Sequence, residues 1–145
     1  PVVVAALGPQ MLKLTAELAD GTNTWMVGPK TMEEHIIPCF EASGNYSPEI
    51  VAGMPIVLTN NIDHAKESIG KSLAVYGQLP SYRAMLDREG AVGPADIAII
   101  GDENKLGGEI KRLESLGVTD FNAAIMDVED GAYHRTLEFL GSLRP

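Results

Sequence analysis

Val2-Val3-Val4-Ala5-Ala6-Leu7-Gly8-Pro9-Gln10-Met11 is the stretch whose reading decides the fold. From Pro1 to Leu7 it is continuously apolar and rich in β-branched residues, the pattern of a strand buried on both faces of a parallel sheet. Pro9 stands where the first residue of a helix belongs. Met11, Leu14 and Leu18 then recur at helical spacing until Asp20-Gly21 ends the element. The stretch is therefore a strand, a tight turn and a helix.

Outward from it the same unit repeats. Thr22 to Val27 reads as a second strand, and after Gly28-Pro29 the spacing of Thr31 to Glu34 makes a capping box for a helix through about Ala42. Pro38 falls inside that helix and predicts a kink. Ile50 to Thr59 is a third strand in which Gly53 and Pro55 predict a bulge or an irregular stretch, followed by a helix facing inward through Ile62, Ala65, Ile69 and Leu73. After Gly77-Gln78-Leu79-Pro80 comes a further helix, capped by Ser81 and stopped near Gly90, ahead of the Gly93-Pro94 break. Pro94 to Ile100 is apolar but has no assignable period. Leu106, Ile110, Leu113 and Leu116 space a helix closed by Gly117. Phe121 to Met126 is the fourth strand, and Tyr133, Leu137 and Leu140 give the final helix its apolar face after Asp130.

Strands separated by helices imply right-handed crossovers and a parallel sheet, so the class is α/β. A (β/α)8 barrel spends about 31 residues per unit. The 145 residues here, read as one domain of four units with a helical excursion over about 76–100, therefore match half a barrel. An open flavodoxin-like sheet is the alternative. The chain opens on Pro1 with no initiating methionine or lead-in, and is expected to be a fragment of a longer one.

Composition excludes several roles. Hydrophobic residues at 45% and charged residues at 21% suit a globular protein, and no apolar run reaches the roughly 20 residues of a membrane span. A net charge of -9 with 11 scattered basic residues opposes nucleic-acid binding. The single cysteine, Cys39, cannot form an internal disulfide and has no companion histidine at a telling spacing, so it reads as an inert thiol. With no signal-peptide pattern, a cytoplasmic location is expected, which empties the acceptor-like Asn45-Tyr46-Ser47 of meaning. His35, His64 and His134 lack the spacing and company of a metal site, and no metal is expected.

The chemistry concentrates at the opening loop. Gly8 is delivered by a strand to a helix N-terminus, where unpaired N–H groups and the positive end of the helix dipole attract anions. A lone glycine equally serves to permit a tight turn. Trp25 and Met26 end the next strand, where a barrel places its substrate, though an aromatic there also serves simply as packing. Tyr82 and Arg83 begin the excursion helix and suit either a lid or an interface, or capping alone. Asp102 and Glu103 read as a helix cap.

The block Val2 to Pro9, the following Glu17-Leu18-Ala19-Asp20-Gly21 and the strand carrying Trp25 resemble the bacterial-luciferase-like family, in particular its members that use the deazaflavin coenzyme F420. Gly77 to Leu86 followed by Gly90, Ile100-Gly101-Asp102 and the last strand look like that family too. The resemblance covers essentially the whole chain and matches the carboxy-terminal half of such proteins. It implies the carboxy-terminal half of a (β/α)8 barrel. It also implies that Leu7, Gly8, Gln10 and Met11 bind cofactor and that Trp25 and Met26 line a substrate pocket. Where members acting on sugar phosphates carry basic residues, this chain reads Trp25-Met26-Val27-Gly28 and Asp96-Ile97-Ala98-Ile99, which counts against such a substrate. The family's hydride-transfer residues lie mainly in its amino-terminal half, so no catalytic acid or base is named.

The function so implied is half of a coenzyme F420-dependent oxidoreductase, with FMN the alternative cofactor in a luciferase-like monooxygenase. A non-catalytic α/β binding module is the reading from outside enzymology. A half-barrel with open edges is expected to form a homo-oligomer or to pair with an amino-terminal half-barrel.

Overall fold

The computed structural model describes residues 1–143. Its elements alternate as the sequence implies. They are β1 (Val3–Ala5), α1 (Pro9–Leu18), β2 (Gly21–Trp25), α2 (Pro29–Thr31), α3 (Ile37–Ala42), β3 (Glu49–Leu58), α4 (Ile62–Ser72), α5 (Pro80–Glu89), β4 (Ile99–Gly101), α6 (Glu103–Ser115), β5 (Asp120–Ile125) and α7 (Ala132–Ser142). A π-helical turn, Met32–Ile36, joins α2 to α3. Short 3-10 turns at Ala74–Gly77 and Pro94–Asp96 flank α5. Among the described residues no helix is long and apolar enough to cross a membrane.

All strand pairs are parallel, and the order is β1-β2-β3 with β4 and β5 also on β3. Ile56 partners both Ile99 and Ile125, so β4 and β5 lie on opposite edges of β3. Val51 likewise partners both Asn23 and Asp120, so β2 and β5 are opposed. It follows that β2 and β4 succeed one another along a single edge. Pro55 sits where that edge changes hands: β2 ends at the Trp25–Gly53 rung and β4 begins at Ile99–Ile56. Odd-numbered residues of β3 address this edge, as Met26 N–H donates to Gly53 O and Thr59 N–H to Gly101 O. The donor that Pro55 lacks would therefore point into the gap, and β3 runs its ten residues without the expected bulge.

Paired residues share a face and faces alternate along a strand. The rows Ala5–Asn23–Val51–Asp120 and Trp25–Gly53–Asn122 thus lie on one face, where Ala5, Asn23, Asp120 and Asn122 are exposed. The opposite face carries Ile50, Ala52, Met54 and Ile56, packed in one core with Leu12 of α1, Phe40 of α3, and Leu106 and Leu113 of α6. A flavodoxin-like sheet would have helices on both faces. Here the other face is covered only in part, where Val57 and Ile100 meet Ala65 and Ile69 of α4 and where Tyr76 packs on Trp25. The fold is a partial (β/α)8 barrel, an open sheet with helices outside.

Several local expectations are corrected. Five strands form rather than four, because the unassigned Pro94–Ile100 segment ends in β4. The first strand is only Val3–Ala5 and is not buried on both faces, since it is an edge strand whose inner face is bare. Thr31 makes no capping box: it lies inside α2, whose N-cap is Gly28. Ahead of Pro38, where a kink is expected, the helix is interrupted by a π-helical turn and restarts as α3, since the proline lacks the amide that a regular helix would aim at the Glu34 carbonyl. Ser81 lies within α5, whose N-cap position is Leu79 and which no side chain caps. Asp102 does cap α6, accepting from Lys105 N–H at 2.8 Å.

The stripe of α1 faces the wrong way for a core. Met11, Leu14 and Leu18 are 48%, 47% and 77% exposed, while Leu12, Thr15 and Ala16 are buried. In α7, likewise, Tyr133 and Leu137 are exposed and Ala132 and Thr136 buried. Leu12→Ala should therefore cost about 2–5 kcal/mol in chemical denaturation, whereas Leu14→Ala should stay within about 0.5 kcal/mol. Equal losses at the two positions would contradict this orientation.

Candidate functional site

A cavity of about 560 Å³ opens at the carboxyl ends of β1 and β2. Residues 5–11 form one wall, Asn23 and Trp25 the floor, and Ser81 and Tyr82 at the start of α5 the opposite wall. Of the residues singled out from sequence, Leu7, Gly8, Gln10, Met11 and Trp25 all line it.

The first wall follows from local backbone chemistry. Gly8 takes φ -71° and ψ 150°, extended values that fit the residue before a proline, and its carbonyl accepts the first helical bond from Leu12 N–H at 2.9 Å. Pro9 occupies the first helical position, where its missing N–H is no loss. The amides of Gln10 and Met11 have no partner within the helix by position, and the first turn carries no acidic side chain to occupy them. A Cβ built on Gly8 meets nothing within 4 Å. The loop is thus a cradle left open by the absence of a side chain. It is braced from behind by His35, whose Nε2 lies 2.9 Å from the Leu7 carbonyl oxygen.

The second wall repeats the arrangement. The ten-residue α5 begins at Pro80 after an extended Leu79, again with no acidic residue in the first turn and no side-chain cap. Two helix N-termini, each carrying partial positive charge, therefore border the same space. None of the described residues lining it has a charged side chain.

An aromatic file closes the floor. The Trp25 and Tyr76 rings meet edge to face at 5.8 Å between centroids, and Tyr76 and Tyr82 at 4.9 Å. Such pairs contribute beyond their buried area and hold ring orientation. Trp25 Nε1 is buried with no hydrogen-bond partner among the described residues. An unsatisfied buried donor beside a cavity is expensive, and a ligand oxygen would satisfy it.

Met26 does not join the site. It is fully buried in the core behind β2 and holds φ +60°, the left-handed region, which turns the chain sharply away after Trp25. Sequence reading also passed over Asn23, Tyr76 and Ser81. Asn23 carried a signal, since a polar residue between Thr22 and Thr24 alternates to the face opposite them. Tyr76 carried none, its position being set by contacts 51 and 6 residues away in the chain. Among the described residues no group of three or more His, Cys, Asp or Glu could hold a metal.

The family model for luciferase-like monooxygenases matches residues 1–136. Among solved structures, the chain is similar to an F420-dependent secondary alcohol dehydrogenase in complex with an F420-acetone adduct. The identity is 19% and the TM-score 0.71, over 100% of this chain and 49% of that one. It is similar also to the coenzyme F420-dependent tetrahydromethanopterin reductase from Methanopyrus kandleri, at 20% identity and TM-score 0.72, over 97% of this chain and 49% of the other. A long-chain alkane monooxygenase aligns at 16% identity and TM-score 0.62, over 97% of this chain and 40% of that one. The chain thus spans about half the length of the first two proteins it matches. No curated protein sequence matches it.

Proposed function

The chain belongs to the luciferase-like monooxygenase family, and from that premise we propose that it is the cofactor-binding half of an F420-dependent oxidoreductase, its cavity holding the deazaflavin's phosphate-bearing end. The observation that carries this reading is the open cradle at Gly8, where the first-turn amides of α1 face the N-terminus of α5 across uncharged walls. The residues present fit the group. Gln10 and Met11 amides, with the Ser81 hydroxyl opposite, suit phosphate oxygens. Leu7, Met11, Trp25 and Tyr82 offer apolar area to the rest of the ligand.

A bound deazaflavin supplies hydride chemistry. The chain's own contribution is to bind, orient and exclude water. The loop fixes the anionic end. The aromatic file keeps the floor rigid. No catalytic acid or base is assigned to this chain, and the open outer edges of β1 and β5 are read as pairing with a second half-barrel that completes the site.

The family's description favours a second reading, an FMN-dependent monooxygenase, on the same cavity. Titration with coenzyme F420 and, separately, with FMN tests both, following quenching of Trp25, the only tryptophan of the chain. Micromolar quenching by F420 is expected. Binding of FMN with oxygen uptake would move the assignment to the monooxygenase, and quenching by neither would overturn the proposal.

A further inference from the structure

The Glu89 carboxylate lies at the far end of α5 from the cavity, and it is the side chain that caps α2. Its Oε2 accepts from Thr31 N–H at 2.7 Å and from Thr31 Oγ1 at 2.7 Å, while Oε1 accepts from Lys30 N–H at 3.1 Å. These are the first-turn donors of the helix that follows β2, and the N-cap, Gly28, has no side chain to satisfy them. Gly28 also makes room: a Cβ there would come within 2.3 Å of the Glu89 carboxyl carbon. Thr31 is buried, and its hydroxyl also lies 3.4 Å from the Met85 carbonyl of α5. A charge-assisted cap at a helix N-terminus is thus supplied from another helix, 58 residues along the chain.

The two ends of α5 meet the two ends of one turn. Tyr82 and Ser81 at its start form a cavity wall, whereas Glu89 at its end grips the segment leaving Trp25. A helix of ten residues is about 15 Å of rigid rod. Arg83 stiffens the return, donating to the carbonyls of Ala91 and Val92 at 2.8 and 3.0 Å. We infer that Glu89 is a positioning residue for the cavity: by tying α5 to the N-terminus of α2 it sets the separation of Tyr82 from Trp25, and hence how tightly the cavity closes on its ligand. The inference rests on the cavity being the cofactor site assigned above.

The test pairs Glu89→Ala and Glu89→Gln with Thr31→Val and Thr31→Ser. Without ligand, Trp25 emission should shift to the red in Glu89→Ala as the Trp25–Tyr76–Tyr82 file loosens, and amide exchange should accelerate in residues 80–89. With coenzyme F420, the dissociation constant should rise about tenfold. Glu89→Gln and Thr31→Val should show intermediate losses, and Thr31→Ser should restore binding. Arg88→Ala, at an exposed position on the same helix, should leave emission and affinity unchanged. Unaltered emission and exchange in both Glu89 variants would overturn the inference, even with reduced thermal stability. A wild-type chain that binds no cofactor fails the functional reading instead, since the ligand-free measurements still decide whether Glu89 positions the wall.

Discussion

Gly8→Val should fold with wild-type stability and lose cofactor binding by about a hundredfold or more. The two halves of this expectation have separate causes. Gly8 sits at φ -71° and ψ 150°, where a β-branched residue is at ease, and it precedes Pro9, which favours that same region. Its position is exposed and a Cβ touches nothing within 4 Å. Folding therefore meets neither strain nor clash, and the loss of unfolded-state freedom on replacing glycine is slightly stabilising. The melting temperature should move by no more than about 2 °C. Binding differs because the same empty space is the cradle. A valine side chain would project where the first-turn amides of Gln10 and Met11 are to be reached, holding an anionic group away from them. Trp25 quenching by F420 gives the affinity and thermal unfolding the stability. Wild-type affinity in the folded variant would show that ligand does not occupy this loop.

The loop was legible in sequence because its signals are local. Gly8-Pro9 and Gly28-Pro29 each mark a strand ending at a helix, and a proline at the first helical position needs no tertiary information to be read. The resemblance to the luciferase-like family drew on this segment together with Gly77 to Leu86, Ile100-Gly101-Asp102 and the last strand, and the family match over residues 1–136 agrees with it. What was not legible depends on distant partners. Periodicity finds the stripe of Met11, Leu14 and Leu18 but not which side of α1 is covered, and the side covered is that of Leu12. β4 is three residues in an apolar run too short to display a period. Pro55 read as a defect in isolation, since only the succession of β2 and β4 along one edge makes its missing donor harmless. Glu89 carried no local signal, because its role belongs to a helix 58 residues away.

Gly53→Ala should do the opposite of Gly8→Val, destabilising the fold by about 2–4 kcal/mol and disturbing the site as a consequence. Gly53 is buried in the middle of β3, paired on one edge with Trp25 and on the other with Asn122. A Cβ there would lie 2.6 Å from the Thr24 carbonyl oxygen and 3.2 Å from Cε3 of the Trp25 ring. The first contact is with backbone held in a ladder, which cannot swing aside as a side chain can. β2 must separate from β3 or the rung must shear, and β5 on the other edge prevents β3 from retreating. The melting temperature should fall by about 5–15 °C. Because the glycine lies beneath Trp25, the displaced ring should also show red-shifted emission and a weaker contact with Tyr76. Gly107→Ala is the matched control. It lies in α6, where a Cβ would stand 3.9 Å from the Phe139 ring, an ordinary contact, and alanine there should stabilise the helix by about 0.5–1 kcal/mol. A Gly53→Ala chain that melts with the wild type would mean that β2 and β3 do not approach so closely at Trp25, and the rigid floor of the cavity would lose its physical basis.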